Sequence, residues 1–416
     1  MIRQTQNRIT SSISVTYPDF PSFNVPVYNF KLHQEVGKHD VVELRYAQGR
    51  DFYFKALKTG TPVSIIWNND KTKGKFFGYV HSVSMRSSQA LENFVVITVV
   101  GASFPLKEGG SKIWVNKTAS EIAIEIAKKF RLKPVVTNHP LRFSQQSLSG
   151  HTYWEKLQEL ASKVGYVCQV HGTELHFHPL DIMINKHMSA IPILSINNNY
   201  TTQYNNPDSQ TLDLFVPKIG DHFDTDSNSR NYKTINGIDP VTGKQYSSTS
   251  SATKTGKQLR NKTKDPLFSE TLPTTNSGNK NAAELIAKAK AELSRFSMEA
   301  QGNGQGDPRM APYRTVHVSG TKGNSDGFWV IKKVIHFVSF DGRYSVEFTC
   351  MTDGTHGNKA SSMRPSKAAL IPTMDLSDEG TGTTTRASYT KLTAQAAMIS
   401  QTDSGFNVTP RRWVNR

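Results

Sequence analysis

The stretch 146–181, QSLSGHTYWEKLQELASKVGYVCQVHGTELHFHPLD, decides how the middle of this chain folds. Thr152 and Glu155 have the spacing of a capping box, in which two side chains satisfy free backbone amides in the first turn of a helix. Apolar residues then recur at helical spacing up to Gly165, a residue typical of helix C-termini: Trp154, Leu157, Leu160, Ala161 and Val164. The residues beyond Gly165 predict a β-hairpin with its turn at Gly172.

The same stretch contains the side chains that most resemble a reactive site. His176 and His178 lie two apart in a predicted strand and share a face, and His171 lies across the turn, so a three-histidine metal site is conceivable. No carboxylate or cysteine has motif spacing around them, and we interpret them as contact or solvent residues. Cys168 lies in an apolar strand, which favours a buried structural thiol over a nucleophile.

A second helix precedes this stretch. Thr118 and Glu121 form another candidate capping box, and one apolar face follows at helical spacing, made of Ala119, Ile122, Ala123, Ile126, Ala127 and Phe130. Together, the two helices and the hairpin predict a compact α+β domain over 106–190.

The segments on either side of this domain are predicted to be β-rich. TPVSIIWNND and KTKGKFFGYVHSVSM indicate a hairpin and ENFVVITVVGAS a further strand, so 1–105 is predicted to be a first barrel. Residues 191–220 together with 281–355 are predicted to be a second barrel.

Within the second region, 281–300 predicts a helix whose face includes Leu285, Ile286, Ala289, Leu293 and Phe296. GNGQGDP (302–308) is interpreted as a loop. YRTVHVSG, GFWVIKKVIHFVSFDG and RYSVEFTCMTDG predict a meander of three strands. In the middle strand, simple alternation places Phe328, Val330, Val334 and Val338 on one face, and Trp329, Ile331, Ile335 and Phe337 on the other. We interpret this strand as packed on both sides, with base stacking as the less favoured alternative.

Two segments are too polar to predict a core. Residues 221–280 are interpreted as an exposed polar insertion, and 356–416 as a C-terminal arm that Phe406 and Trp413 could anchor to a neighbour. The predicted fold class is therefore α+β, mainly β: two tube-forming barrel domains, an intervening α+β domain, the insertion and the arm.

Composition limits the functional classes. The formal charge of +16 attracts polyanions at long range, but the basic residues are scattered along the chain. The N-terminus has no signal-peptide pattern, no apolar run is long enough to span a bilayer, and two cysteines cannot form a disulfide framework. We find no motif for a catalytic, metal or cofactor site, so we expect no enzyme activity and no cofactor.

The order of these segments, with three particular stretches, resembles the hub proteins at the tip of bacteriophage tails. This is the family of phage late control protein D and of the amino-terminal part of VgrG spikes. The stretches that carry the resemblance are KTASEIAIEIAKKFRLKP, the opening stretch 146–181, and AELIAKAKAELSRFSMEAQ with the later DGFWVIKKVIHFVSFDGRYSVEF. The resemblance covers roughly residues 25–355.

The resemblance implies a homotrimer in which each chain supplies two barrels to a pseudo-sixfold ring. Such a hub joins a hexameric tail tube to a trimeric spike, and the implied location is the virion tail tip or baseplate, after assembly in the host cytoplasm. Implied partners are the tail tube, central spike, tape measure and wedge or adaptor proteins, with phage DNA passing through the lumen without sequence specificity.

The residues expected to matter are structural, and we predict that they pack the domains: Trp154, Leu157, Ala161, Gly165, Tyr166, Phe328, Val330, Val334 and His336. Three alternatives remain open at this stage. The chain could serve a contractile injection or type VI secretion-like machine, or it could be a basic module that binds nucleic acid or cell wall. A hydrolase without a recognisable motif is the third.

Overall fold

A computed structural model describes most of the chain between residues 12 and 352. The described residues are 12–20, 26–47, 57–68, 72–88, 91–185, 193–196, 209–218, 232–238, 243–251, 269–272, 280–293, 296, 298–319 and 327–352. The predicted C-terminal arm, with Phe406 and Trp413, lies outside them. Within them the fold is mainly β with a helical middle, which confirms the predicted fold class.

The first region is a curled six-stranded sheet, which we call the first half-barrel. Its strands are β1 (Ser12–Thr16), β2 (Asn29–Glu35), β3 (Val41–Ala47), β4 (Pro62–Asn68), β5 (Lys73–Ser88) and β6 (Leu91–Gly101). They pair in the order β1-β4-β5-β6-β3-β2. The predicted β4–β5 hairpin is confirmed, with Ile66 opposite Lys75. Side chains from each of the six strands pack into one apolar core.

Six later strands form a ring, which we call the second barrel. They are β12 (Ile193–Ile196), β13 (Ser209–Lys218), β17 (Met298–Gln305), β18 (Thr315–Ser319), β19 (Gly327–Ser339) and β20 (Tyr344–Thr352). Each strand pairs with the next in the order β19-β18-β12-β13-β17-β20, and β20 pairs back with β19. The predicted β18–β19–β20 meander is therefore confirmed, and it closes the ring.

The two regions share a single sheet and a single core. β2 pairs antiparallel with β19 from Asn29 opposite Ser339 to Glu35 opposite Lys333, which joins all twelve strands. The same core contains side chains of both regions, including Phe30, Trp67, Trp329 and Val346. The two regions therefore meet through continuous backbone pairing as well as through side chains.

A bulge in β19 corrects the predicted distribution of side chains on this strand. The register against β20 shifts between Ile331 and Lys333, and one extra residue reverses which face later side chains occupy. Trp329 and Ile331 consequently share the main core with Val334 and Val338, which simple alternation had placed on the other face. Val330 instead joins a separate small core.

The α+β region lies between the two β regions. A single 3-10 turn, Phe104–Lys107, leads into β7 (Ile113–Thr118), α1 (Ala119–Lys129), β8 (Lys133–Val136), β9 (Arg142–Ser147), α2 (Tyr153–Val164), β10 (Tyr166–His171), β11 (Glu174–Pro179) and α3 (Leu180–Asn185). β10, β11 and β8 form one sheet, and β7 and β9 form a two-stranded ribbon. Both predicted helices and the β10–β11 hairpin are confirmed.

The interpretation of 221–280 as a polar insertion without a core is wrong for the parts that the structure describes, 232–238, 243–251 and 269–272. This segment contains β14 (Tyr232–Ile238), β15 (Gln245–Ser251) and β16 (Ser269–Leu272), which form a three-stranded sheet. Ile235 is buried in the core of the α+β region, and Tyr246 packs at its edge. Few apolar residues suffice here because the sheet packs against a helix rather than enclosing a core of its own.

That helix is α4 (Lys280–Leu293), which also departs from its prediction. The helix ends at Leu293, and β17 starts at Met298 inside the segment predicted as helical. Its buried face is made of alanines with Ile286, whereas Leu285 is 46% exposed. α4 packs into the α+β core rather than belonging to the second barrel.

The GNGQGDP segment is not a simple loop. Gly302 and Gly304 lie in β17, opposite Phe348 and Val346 of β20. A Cβ atom on Gly302 would lie 2.5 Å from Cζ of Phe348, so the glycine makes room for that ring. Glycine in a strand often marks such a close approach.

Candidate functional site: the joints and surfaces of the two barrels

The α2 helix fixes the geometry of the α+β region because both of its ends are capped. Thr152 accepts a hydrogen bond from the Glu155 amide, and the Glu155 carboxylate accepts one from the Thr152 amide. Glu121 makes the equivalent pair with Thr118 at the start of α1. Gly165 closes α2 with φ at 73°, the left-handed conformation that glycine adopts at little cost.

Gly165 also touches α4, which yields a prediction. A Cβ atom at Gly165 would lie 2.8 Å from Cβ of Ala289. We expect Gly165→Ala to lower the free energy of unfolding by about 2 kcal/mol, because it adds a helix–helix overlap to the cost of a left-handed alanine.

Gly150→Ala is the matched control for this substitution. Gly150 has φ at 79°, and a Cβ atom added there would have no neighbouring atom within 4 Å. We expect this variant to lower the free energy of unfolding only by the cost of a left-handed alanine, about 1 kcal/mol. Urea unfolding of both variants measures the difference, and equal losses would show that the contact with α4 does not matter.

His176 and His178 are buried, so their interpretation as contact or solvent residues is wrong, whereas His171 is half-buried and His151 is exposed. His176 and His178 are 1% and 5% exposed. The ring centroid of His176 lies 5.4 Å from that of His171 and 5.7 Å from that of His178. They are covered because both faces of the β10-β11-β8 sheet pack against other parts of the chain: one against α1 and α2, the other towards the second barrel.

Hydrogen bonds hold these histidines in place. Thr137 Oγ1 lies 2.7 Å from Nδ1 of His178, and a Glu174 carboxylate oxygen lies 3.4 Å from Nε2 of His176. The bond to His176, together with Lys133, lowers the pKa of Glu174 to about 2. Within the described ranges, no three His, Cys, Asp or Glu side chains are arranged to hold a metal ion.

The turn between β2 and β3 docks the first half-barrel onto the α+β region. The Gly37 amide donates to Oε1 of Gln169 in β10 at 3.0 Å. His39 lies between the regions: its Nδ1 is 2.8 Å from Oγ of Ser103, and its ring centroid is 4.7 Å from that of Trp154. Trp154 is thus a packing residue of the joint between two regions, and it is 8% exposed.

A substitution at Trp154 tests this joint. We expect Trp154→Ala to lower the free energy of unfolding by about 3 kcal/mol, the lower end for a buried tryptophan because some ring surface remains exposed. Trp154→Phe, which keeps an aromatic ring against His39, should retain most of that stability. Chemical denaturation of the two variants supplies the measurement; an unchanged Trp154→Ala protein would contradict a packing role.

A chain of hydrogen bonds, which we call the inter-barrel relay, runs through the core that the two β regions share. It links Trp67, Tyr344, His336 and the Met310 carbonyl. His336 Nε2 lies 2.9 Å from the Met310 oxygen, which can only accept, so Nε2 carries the proton. In the neutral ring Nδ1 then accepts from the Tyr344 hydroxyl at 2.7 Å. That hydroxyl accepts from Trp67 Nε1 at 3.0 Å. The relay therefore connects β4 of the first half-barrel to β19, β20 and the 306–314 loop.

Ionisable groups surround the inter-barrel relay. Burial lowers the pKa of His336 to about 4, against a smaller opposing effect of its bond to Met310 and of Asp307. In the adjoining loop, Arg309 donates to both carboxylate oxygens of the fully buried Asp307. Arg314 donates to the Arg309 carbonyl at 3.1 Å. A buried, satisfied polar network of this kind fixes one arrangement of the elements that it joins.

The other predicted packing residues are also in the interior. Leu157, Ala161 and Tyr166 are buried in the α+β core. Phe328 and Val330 lie on the side of β19 that faces away from the main core, whereas Val334 lies within it. Both cysteines are buried, and burial raises the pKa of Cys168 to about 12, which makes it a poor nucleophile.

The outer face of the joined sheet is charged but balanced. In the strand register, Lys333 of β19 lies opposite Glu35 of β2 across the junction, and Lys31 of β2 lies opposite Glu43 of β3 beside it. Arg45 donates to Glu43 at 2.8 Å. Although the whole chain carries a charge of +16, this face alternates cations with anions. It therefore offers a polyanion no concentrated basic patch.

One end of the first half-barrel is aromatic. Phe340, in the β19–β20 turn, is 67% exposed and stacks on Tyr28 with ring centroids 4.6 Å apart. Phe94 lies 5.3 Å from Tyr28. The β2–β3 turn that binds the α+β region is at the opposite end of the same strands. The two ends of the barrels therefore differ in chemistry. No helix among the described residues has the length and apolarity to cross a membrane.

Comparisons with known proteins define the class of fold. No family model and no curated protein sequence matches this chain. Among solved structures, it is similar to a tail protein from Neisseria meningitidis MC58, with 13% identity, a TM-score of 0.56, and coverage of 83% of this chain and 98% of that one. It is likewise similar to the 43 kDa tail protein of prophage MuSo2 from Shewanella oneidensis, at 13% identity, a TM-score of 0.54, and coverage of 84% and 100%.

A third similar structure is the E. coli c3393 protein, a component of the type VI secretion system, with 10% identity, a TM-score of 0.49, and coverage of 85% of this chain and 81% of that one. The chain has the fold of phage tail proteins over nearly their whole length. At the level of the fold, this confirms the likeness to phage tail proteins that the sequence indicated.

Proposed function

We propose that this chain is a structural hub of a phage tail tip or baseplate. In this proposal three copies form a ring, which joins a hexameric tail tube to a trimeric spike, and phage DNA leaves through its centre. The observation that carries the proposal is the joined sheet: two β regions of one chain pair edge to edge through β2 and β19. Three such chains place six similar units around an axis, the number that a hexameric tube presents.

The balanced outer face supports a channel role. A passage for DNA needs a wall that does not hold the polyanion, and the pairs Lys31–Glu43 and Lys333–Glu35 leave little net charge on this face. We assign this face to the lumen. We assign the aromatic end, with Tyr28 and Phe340, to contact with the next ring of the tail, since exposed stacked aromatics are common at protein interfaces.

The proposed role is structural rather than enzymatic. The further partners in the proposal are the spike, the tape measure and wedge or adaptor proteins, and the place of action is the virion. The same architecture would also suit a contractile injection machine or a type VI secretion-like machine. A basic module for nucleic acid is less favoured, because the described outer face across the junction is balanced in charge.

Light scattering of the purified full chain tests the proposal. We expect a trimer of about 140 kDa, three times the chain mass of 46.4 kDa. Electron microscopy of that species should show a ring with a central opening, and antibody labelling should place the chain at the tail tip of the particle. A strictly monomeric protein, or a species that forms only with DNA at low salt, would contradict the hub function.

A further inference from the structure

Exposed apolar side chains lie on both β regions, on strands away from the β2–β19 junction. In the second barrel, Leu214 and Val216 of β13 are 55% and 45% exposed, next to the exposed Asp213. We call these three residues the β13 strip. Leu214 and Val216 lie two positions apart, so their exposed side chains form one small apolar patch on the barrel surface.

The first half-barrel carries a second, different strip. Ile66 of β4 is 39% exposed, and the exposed Lys75 lies directly opposite it in β5. Lys73 is exposed two residues earlier in β5. We call these three residues the β4–β5 strip.

Beside the β4–β5 strip, β1 is the last strand of the sheet order in the described part of the chain, and its sequence SISVT has no charge or proline to protect that edge. The strip and the edge together form one surface that is suited to association.

We propose that the β13 strip of one copy packs against the β4–β5 strip of the next copy, head to tail, and that three such contacts close the ring. This inference rests on the proposed trimeric function and names the surfaces that form it. A contact between two different patches of the same chain is heterologous, and such contacts close into rings when the rotation between copies permits.

Two observations favour a second copy as the occupant. The strips are complementary in charge as well as apolar: Asp213 accompanies Leu214 and Val216, whereas Lys73 and Lys75 flank Ile66. In addition, the chain already joins its two β regions side by side, through β2 and β19. A contact between the second barrel of one copy and the first half-barrel of the next continues that arrangement around the axis.

Engineered cysteines test the contact in the full chain. The native Cys168 and Cys350 are 1% and 0% exposed, so a short bismaleimide should react only with introduced thiols. We expect the double variant Ile66→Cys with Val216→Cys to give covalent dimers and trimers on denaturing gels, and nothing larger. Each single variant should remain uncrosslinked, because a heterologous contact never brings two copies of one strip together.

A control double variant keeps the cysteine at Val216 and places the second one at a distant exposed residue instead of at Ile66. Ile238 of β14 is 62% exposed and belongs to neither strip, so Ile238→Cys with Val216→Cys should not crosslink. Dimers from a single variant would overturn the head-to-tail arrangement. A trimer by light scattering without crosslinks in the double variant would overturn these surfaces and leave the hub function standing. A monomer by light scattering would overturn both.

A charge exchange gives an independent readout. Asp213→Lys should shift the trimer towards monomers by at least about tenfold in dissociation constant, since it places like charges opposite Lys73 and Lys75. Adding Lys73→Glu and Lys75→Glu should restore most of the association. If the triple variant dissociates as readily as Asp213→Lys alone, Asp213 does not face these lysines and the proposed pairing of strips is wrong.

Discussion

Trp329→Ala is expected to lower the free energy of unfolding by about 5 kcal/mol, the upper end for a buried tryptophan. Trp329 is fully buried, pairs with Val316 of β18, and has its ring centroid 5.4 Å from that of Phe215 in an edge-to-face arrangement. It lies on β19, which belongs to the second barrel and pairs with the first half-barrel. The cavity should therefore weaken both regions, and the trimer should fail to assemble at physiological temperature.

Phe337→Ala is the matched control, on the same strand but on its outer face. Phe337 is 38% exposed, and the bulge places it outside the main core. We expect a loss within about 1 kcal/mol and normal folding. Denaturant unfolding followed by tryptophan fluorescence compares the two variants. Similar losses would show that both side chains contribute equally, contrary to the observed register of β19.

The local elements could be predicted because their signals lie within a few residues. Both capping boxes, the left-handed Gly165 and the alternation of β20 are properties of short segments, and the structure has each of them. The face of β19 on which each side chain lies could not be predicted in this way. Its periodicity is interrupted by a bulge at Ile331–Lys333 that is set by pairing with β20, a partner that the strand's own sequence does not specify.

Long-range packing explains the remaining differences. The segment 221–280 has too few apolar residues for a core of its own, yet Ile235 is fully buried because α4 supplies the opposing surface. The sequence indicates contact or solvent positions for His176 and His178, but the second face of their sheet is covered by residues distant in sequence. The inter-barrel relay joins Trp67 to Tyr344, separated by 277 positions. Neither residue shows a local signal for it.

Acidification is expected to destabilise the protein between pH 6.5 and pH 4. Burial lowers the pKa of His336, His139 and His39 to about 4 from an ordinary value of 6.5, and Lys107 adds to the effect at His39. Between these values the unfolded chain binds more protons than the folded chain, so stability falls as the pH falls. The fully buried His336 alone accounts for about 3 kcal/mol of the stability lost over this pH range, and His139 and His39 contribute less.

Asp40 has the opposite effect on stability as the pH falls. Burial raises its pKa to about 7 from 3.8, and the bond from Gln34 at 2.8 Å offsets only part of this shift. The folded chain therefore holds a proton on Asp40 that the unfolded chain has released, and this contribution to stability is lost as the pH rises towards 7. In the unmodified chain, the stability that Asp40 contributes on acidification partly cancels the stability that is lost through the histidines.

Asp40→Asn separates the two effects, because the amide resembles the protonated acid in shape and does not titrate. We expect this variant to lose about 4 to 5 kcal/mol between pH 6.5 and pH 4, more than the unmodified chain loses, and to be the more stable of the two at pH 7. Urea unfolding at half-unit pH intervals measures both curves. His336→Gln should be less stable than the unmodified chain at pH 6.5, because its hydrogen bonds to Met310 and Tyr344 are broken. The stability that it loses between pH 6.5 and pH 4 should be smaller by about 3 kcal/mol. If Asp40→Asn and the unmodified chain had parallel pH profiles, Asp40 would be ionised in the folded protein.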